Sequence, residues 1–112
     1  MGEFLNKMRV ALNQICPTFT QTPLQTPYPY ITLDVEQKLQ GLPWGPLMVV
    51  VAVKIWSRYA GTHEILKLAK GVEGFLYEYS FETSLKILES SLVLLKDGQT
   101  RVHSFRLKAR IF

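Results

Sequence analysis

The stretch Leu92-Val93-Leu94-Leu95-Lys96-Asp97-Gly98-Gln99-Thr100-Arg101-Val102-His103-Ser104-Phe105-Arg106-Leu107-Lys108-Ala109-Arg110-Ile111-Phe112 decides the fold. An Asp-Gly pair between two apolar runs is a strong hairpin signal, because glycine accepts the positive φ that a tight turn demands. The turn is therefore expected at Lys96-Asp97-Gly98-Gln99, with one strand reaching Leu95 and another running from Thr100 to Phe112. In the second strand Phe105, Leu107, Ala109 and Ile111 alternate with Arg106, Lys108 and Arg110, so one face suits a core and the other carries cations. Upstream, Leu85 and Ile87 continue the first strand, and Ser90-Ser91 interrupts its alternation, which predicts a bulge or a split strand near them.

Working outward, Ile65, Leu66, Leu68, Ala69, Val72, Phe75 and Leu76 recur at helical spacing, with Lys67, Lys70 and Glu73 opposite and Thr62 placed as an N-cap. Gly71 and Gly74 fall inside that stripe, marking either close packing on the sheet or simple local tolerance. Leu47 to Arg58 is valine-rich and apolar on both alternating faces at its start, the pattern of a strand central in a sheet. Ile31, Leu33 and Val35 alternate with Tyr30, Thr32 and Asp34 as a short strand, and Glu36 to Pro46 reads as an exposed connection displaying Leu42 and Trp44. Phe4, Leu5, Met8, Ala11, Leu12 and Ile15 trace an N-terminal amphipathic helix that Pro17 stops at about Ile15. All 6 prolines lie between positions 17 and 46, which makes that third mostly loop.

These elements predict an α+β fold: a mainly antiparallel sheet of about four strands with two helices packed on it, in the order α-β-β-α-β-β. A length of 112 residues suits one domain over 1–112, and 47% hydrophobic with 20% charged residues is a folding composition. The longest apolar run, Leu47 to Val53, is far shorter than a bilayer span, and no basic-then-apolar signal opens the sequence. A lone cysteine, Cys16, closes no intrachain disulfide. Together these give the expectation of a soluble cytoplasmic protein with no membrane contact.

Chemistry needs converging donors, and this sequence has one cysteine, two histidines (His63 and His103) and no metal-binding, phosphate-cradling or paired-carboxylate motif. The expectation is a protein without catalytic residues, cofactor or metal, working by contact with other chains. The net charge of +4 and pI near 9.3 decide little, but their placement raises one alternative. The row Arg106, Lys108, Arg110 is either a solvated sheet face or a ladder facing a phosphate backbone, which would make a small sequence-nonspecific nucleic-acid-binding module. No aromatic side chains interleave that row for base stacking.

Pro27-Tyr28-Pro29-Tyr30 leading into the first strand, Val53-Lys54-Ile55-Trp56-Ser57-Arg58 followed by Gly61 and a helix, and Lys96-Asp97-Gly98-Gln99-Thr100-Arg101 in a terminal hairpin form one ordered set. In order and spacing, over nearly the whole sequence, it resembles the tail-completion or tail-terminator proteins of long-tailed phages, prophages and gene transfer agents. One departure is that Thr100-Arg101 is followed by Val102-His103, where the family often carries His-Gly. The resemblance implies a virion assembly subunit, typically one of six in a ring, that caps the tail tube, ends its polymerisation and joins it to the head connector or stopper protein. Its implied partners are copies of itself, the tail tube protein and that connector, with DNA passing through without sequence preference. Surfaces for such contacts are expected on the proline-rich segment with Leu24 and Tyr28 and on the Lys38 to Pro46 loop with Lys38, Leu42, Pro43 and Trp44; the row Arg106, Lys108 and Arg110 is the candidate channel face.

Overall fold

The computed structural model describes residues 2–20, 27–40, 47–58, 63–78 and 84–111. In chain order the elements are α1 (Gly2–Leu12), β1 (Thr18–Phe19), β2 (Tyr30–Gln40), β3 (Leu47–Ser57), α2 (His63–Glu78), β4 (Ser84–Leu94) and β5 (Arg101–Ile111). The strands make one sheet in the order β1-β2-β3-β5-β4. Every neighbouring pair is antiparallel except β1 with β2.

The centre is β3. Val49, Val51, Val53 and Ile55 are fully buried on its helix side, against Ile31 and Leu33 of β2 and Phe105, Leu107 and Ala109 of β5. Met8, Ala11 and Leu12 of α1 and Ile65, Ala69, Val72 and Leu76 of α2 close this core from above. The opposite face of β3 is also shielded: Val50 and Ala52 are 6% and 3% exposed. That accounts for a strand apolar on both alternating faces, although no described helix lies on the second side. Among the described residues, no helix is long and apolar enough to cross a membrane.

Five strands replace the four expected. The additional one, β1, is two residues long and pairs with Ile31 and Thr32 of β2. Two residues are too few to display alternation. Local bonds hold them: Ile31 donates its backbone N–H to the Pro17 carbonyl at 2.7 Å, and Asn13 Oδ1 accepts from the Thr18 N–H at 3.1 Å. The α1 helix ends at Leu12, three residues before the expected stop, and residues 13–16 follow as turns bonded back to Arg9, Ala11 and Leu12. A final turn that tightens to shorter-range bonds is common and leaves no mark in apolar spacing.

The expectation of an exposed connection from Glu36 is corrected by β2, which runs on to Gln40. A register shift between Val35 and Gln37 leaves Glu36 as an extra residue. This bulge resets the alternation, and the polar residues beyond it pair through their backbone with Leu47 to Val50. In β4 a bulge falls between Ile87 and Glu89, near Ser90-Ser91 as expected, while the two serines themselves stay in register with Phe105 and Ser104. Backbone pairing with β5 carries the strand through two serines that break only the side-chain pattern. The Thr62 N-cap position lies outside the described residues.

The β4–β5 turn forms where the Asp-Gly pair predicts it. Gly98 has φ of 74°, its N–H donates to the Leu95 carbonyl at 3.0 Å, and the Leu95 N–H donates to the Thr100 carbonyl at 2.8 Å. Asp97 supports the turn with its carboxylate: Oδ1 accepts from the Gln99 and Thr100 N–H groups, each at 2.9 Å, and Oδ2 accepts from the Thr100 hydroxyl at 2.6 Å. These bonds, led by that from Thr100, hold the Asp97 carboxyl down at about 2. In α2, a Cβ on Gly74 would meet nothing within 4 Å, and one on Gly71 would touch only Ile15 of the α1 side at 3.9 Å. Neither glycine is required by close approach of the helix to the sheet, so local tolerance is the correct reading.

Two outcomes follow for stability. Gly74→Ala should raise it by roughly 0.5 to 1 kcal/mol through helix propensity, whereas Gly98→Ala should lower it by about 1 kcal/mol because the side chain is forced into the left-handed region; chemical denaturation checks both. For Asp97, the folded carboxyl is held below its ordinary 3.8, so its ionised form stabilises the fold above that pH and the contribution disappears as pH falls through about 2. Wild type should therefore be more stable than Asp97→Asn at neutral pH, with the gap closing on acidification, as read from denaturation midpoints at stepped pH.

Candidate interface surfaces

At one end of the sheet face opposite the helices, aromatic side chains stack in a row. Tyr30 lies parallel to Trp56 at 6.0 Å between centroids, Tyr28 is tilted against Tyr30 at 5.1 Å, and Phe19 meets Tyr30 edge-on at 6.2 Å. Trp56 Nε1 donates to Thr32 Oγ1 at 2.9 Å, and the Arg58 guanidinium sits 4.6 Å above the Tyr28 ring. Arg58 also donates through Nε to Thr100 Oγ1 at 3.0 Å and approaches Asp97 at 3.8 Å. The cluster thus fastens the segment entering β2 to the β4–β5 turn. Tyr30 is 6% exposed, and burial followed by its hydrogen bond with Tyr28 raises its phenol.

Tyr28, expected as an interface residue, is therefore half-buried in an internal stack that leaves one part of it open. Lys38 lies on β2, its backbone opposite Val49, and its side chain is outside the described residues. Leu24, Leu42, Pro43 and Trp44 also fall outside them.

The cationic row on β5 has a specific arrangement. Arg106 forms ion pairs with Glu36 of β2 at 2.9 Å and Glu89 of β4 at 3.3 Å. To reach Glu36 it must cross β3, and the residue opposite it there is Ala52, whose small side chain leaves the passage open. The result is a shallow depression lined by Glu36, Ala52, Lys54, Glu89, Ser104 and Arg106. These pairs are solvent-facing, each worth about 0 to 1 kcal/mol, but they place two carboxylates around one guanidinium. Lys108 is half-buried, and the Arg110 side chain is outside the described residues.

Sequence reasoning missed the most conspicuous surface. Apart from Val10 on α1 and Leu66 on α2, the exposed large apolar side chains among the described residues all lie between Leu88 and Leu95: Leu88 46%, Leu92 38%, Val93 50%, Leu94 54% and Leu95 36%. Leu92 and Leu94 share the helix side of the sheet with His103 and Arg101, their partners on β5, while Val93 points to the other side with Val102. Since α2 packs on β3 and β5 and α1 on β1 and β2, neither helix shelters this part of β4. The signal was present: four consecutive apolar residues before a turn leave a strand apolar on both faces.

Among the described residues, no three His, Cys, Asp or Glu side chains converge on a possible metal position. Cys16 is buried, and that burial, with the Glu64 charge second, pushes its thiol up to about 11. Glu64 itself accepts the Ser57 hydroxyl at 2.7 Å. His63 is exposed at the start of α2. His103 lies 4.7 Å from the Phe105 ring and shares a 3.0 Å hydrogen bond with Ser90 through Nε2, while Nδ1 is enclosed without a partner. Burial holds its imidazole below the usual value, against the opposing charge of Glu73.

No family model and no curated protein matches the sequence. Among solved structures the fold is similar to that of a chain in the virion of a native gene transfer agent (GTA) particle, with a TM-score of 0.67 and 13% identity, covering 96% of this chain and 90% of that one.

Proposed function

We propose that this chain is a virion structural protein of a phage-like tail, one that assembles into a ring of copies, typically six, capping the tail tube, ending its polymerisation and joining it to the head connector. The observation that carries this reading is the likeness of fold, end to end, to a chain of a gene transfer agent virion. The ordered motifs Tyr28-Pro29-Tyr30, Ile55-Trp56-Ser57-Arg58 and Asp97-Gly98 add to it. The stack and the turn that these motifs build are neighbours in space, linked by Arg58 to both Tyr28 and Thr100. Such a role requires no reaction: the protein acts through surfaces that recognise its own copies, the tail tube protein and the connector. Assembly takes place in the host cytoplasm under this reading.

The alternative of a nucleic-acid-binding module draws less support from the geometry. The guanidinium at the middle of the cationic row is already flanked by Glu36 and Glu89, so an approaching phosphate meets two carboxylates there. In the ring reading, DNA passes this face without being held.

Adding the protein to tubes polymerising from the tail tube protein of the same particle should fix their length and place extra density at one tube end in negative-stain images; tubes of unchanged length with bare ends would refute the reading. In parallel, Arg106→Ala should leave retention of linear duplex DNA at low salt unchanged. A marked, salt-dependent loss of retention would instead favour the nucleic-acid module.

A further inference from the structure

Among the described residues the sheet ends at β4, whose only strand partner there is β5, so the other edge presents unpaired backbone N–H and C=O groups along its length. Natural edges are usually blunted by charge, proline, a bulge or a covering element. The first half of β4 follows that practice, with a bulge at Leu88 and the charge of Glu89. The second half does not: Leu92 to Leu95 has neither charge nor proline, lies outside the cover of both helices, and is exposed on both faces. An open backbone row flanked by apolar side chains on either side is the surface that an added β-strand fits.

The same chain supplies a matching strand. At the opposite edge, β1 covers only Ile31 and Thr32, so Leu33 to Gln40 of β2 has β3 as its one partner among the described residues. That open stretch is long enough to span Ser90 to Leu95, and the parent strands are both 11 residues. Polarity agrees as well. Each step from β2 through β3 and β5 to β4 is antiparallel, so β4 runs opposite to β2. A rotation about an axis along the strands preserves strand direction, and it would bring β4 of one copy beside β2 of the next as an antiparallel pair, the slightly more stable kind. The helices then stay on one side of every copy. Because the two edges differ, the contact is head-to-tail, the type that closes into rings.

We infer that the open second half of β4, from Ser90 to Leu94 with Leu95 just beyond it, is the surface through which one copy of this chain binds the β2 edge of the next, joining their sheets. The inference rests on the ring reading above and names the contact that builds the ring.

Sedimentation velocity on the full chain at rising concentration, with glutaraldehyde trapping, tests it. The double variant Val93→Asp/Leu94→Lys changes two exposed positions, one on each face, and circular dichroism and the thermal midpoint report whether it folds as wild type does. Leu66→Lys, at an exposed apolar position on α2, is the control. Wild type and Leu66→Lys should pass from monomer to ring-sized species, while the folded double variant should associate at least about tenfold more weakly, the scale of losing a contact hot spot. Equal assembly of the folded double variant would overturn the inference while leaving the ring reading standing. So would a wild type that stays monomeric throughout, the ring reading then being decided by the tube-end experiment. A third result is read from Val93→Cys under oxidising conditions. Quantitative disulfide-linked dimers would show a symmetric β4–β4 contact in place of the head-to-tail one, and absence of such dimers is the expected outcome.

Discussion

The structure depends on the complete pairing of β3. It is hydrogen-bonded along its length on both sides, to β2 and to β5, and its helix-facing residues Val49, Val51, Val53 and Ile55 are wholly removed from water. Among the described residues, no other element is enclosed from so many directions. The two helices bury their apolar stripes on the face that β3 anchors, and the outer strands are held by β2 and β5 rather than by the core itself. Burial therefore falls away toward the edges of the sheet, and the surfaces available for contact lie there.

The second face of the sheet is organised differently. With no described helix upon it, it is shielded by its own long side chains: the Phe19-Tyr28-Tyr30-Trp56 cluster at one end and Arg106 reaching between Glu36 and Glu89 in the middle. Aromatic contacts of this kind contribute roughly 0.5 to 1.5 kcal/mol beyond the area they bury, more than an exposed ion pair does. The cluster is therefore the firmer of the two, and it ties the entry to β2, β3 and the last turn into one unit.

Much of this was legible in the sequence where a single rule acted alone. The valine run of β3 announced a central strand, Asp97-Gly98 announced its turn, and the alternation from Phe105 to Ala109 assigned the core face of β5 correctly. Reading failed where backbone bonding outweighed side-chain pattern. β1 is too short to have a period, and the bulge at Glu36 concealed the second half of β2 behind polar residues that pair through their backbone. Ser90 and Ser91 did signal the bulge at nearby Leu88, although the ladder runs through the serines themselves. Tyr28 also joins an aromatic stack and Arg106 a two-carboxylate bridge, both long-range arrangements that no local spacing encodes. The exposed run from Leu92 to Leu95 could be seen in the sequence as apolar, but not as uncovered, because that depends on where α2 ends up.

The strand order also shapes how the chain comes into being. β5 is inserted between β3 and β4, so both must wait for a partner that is translated after them. As the polypeptide leaves the ribosome, β3 can pair with β2 alone, and the apolar residues of β4 emerge before any strand that can shelter their backbone. Non-local closure of this kind is slow, and unpaired strands are the usual nuclei of aggregation. β5 is thus the strand whose arrival locks the centre of the sheet, and until it emerges β3 lacks one of its two neighbours and β4 lacks its ladder.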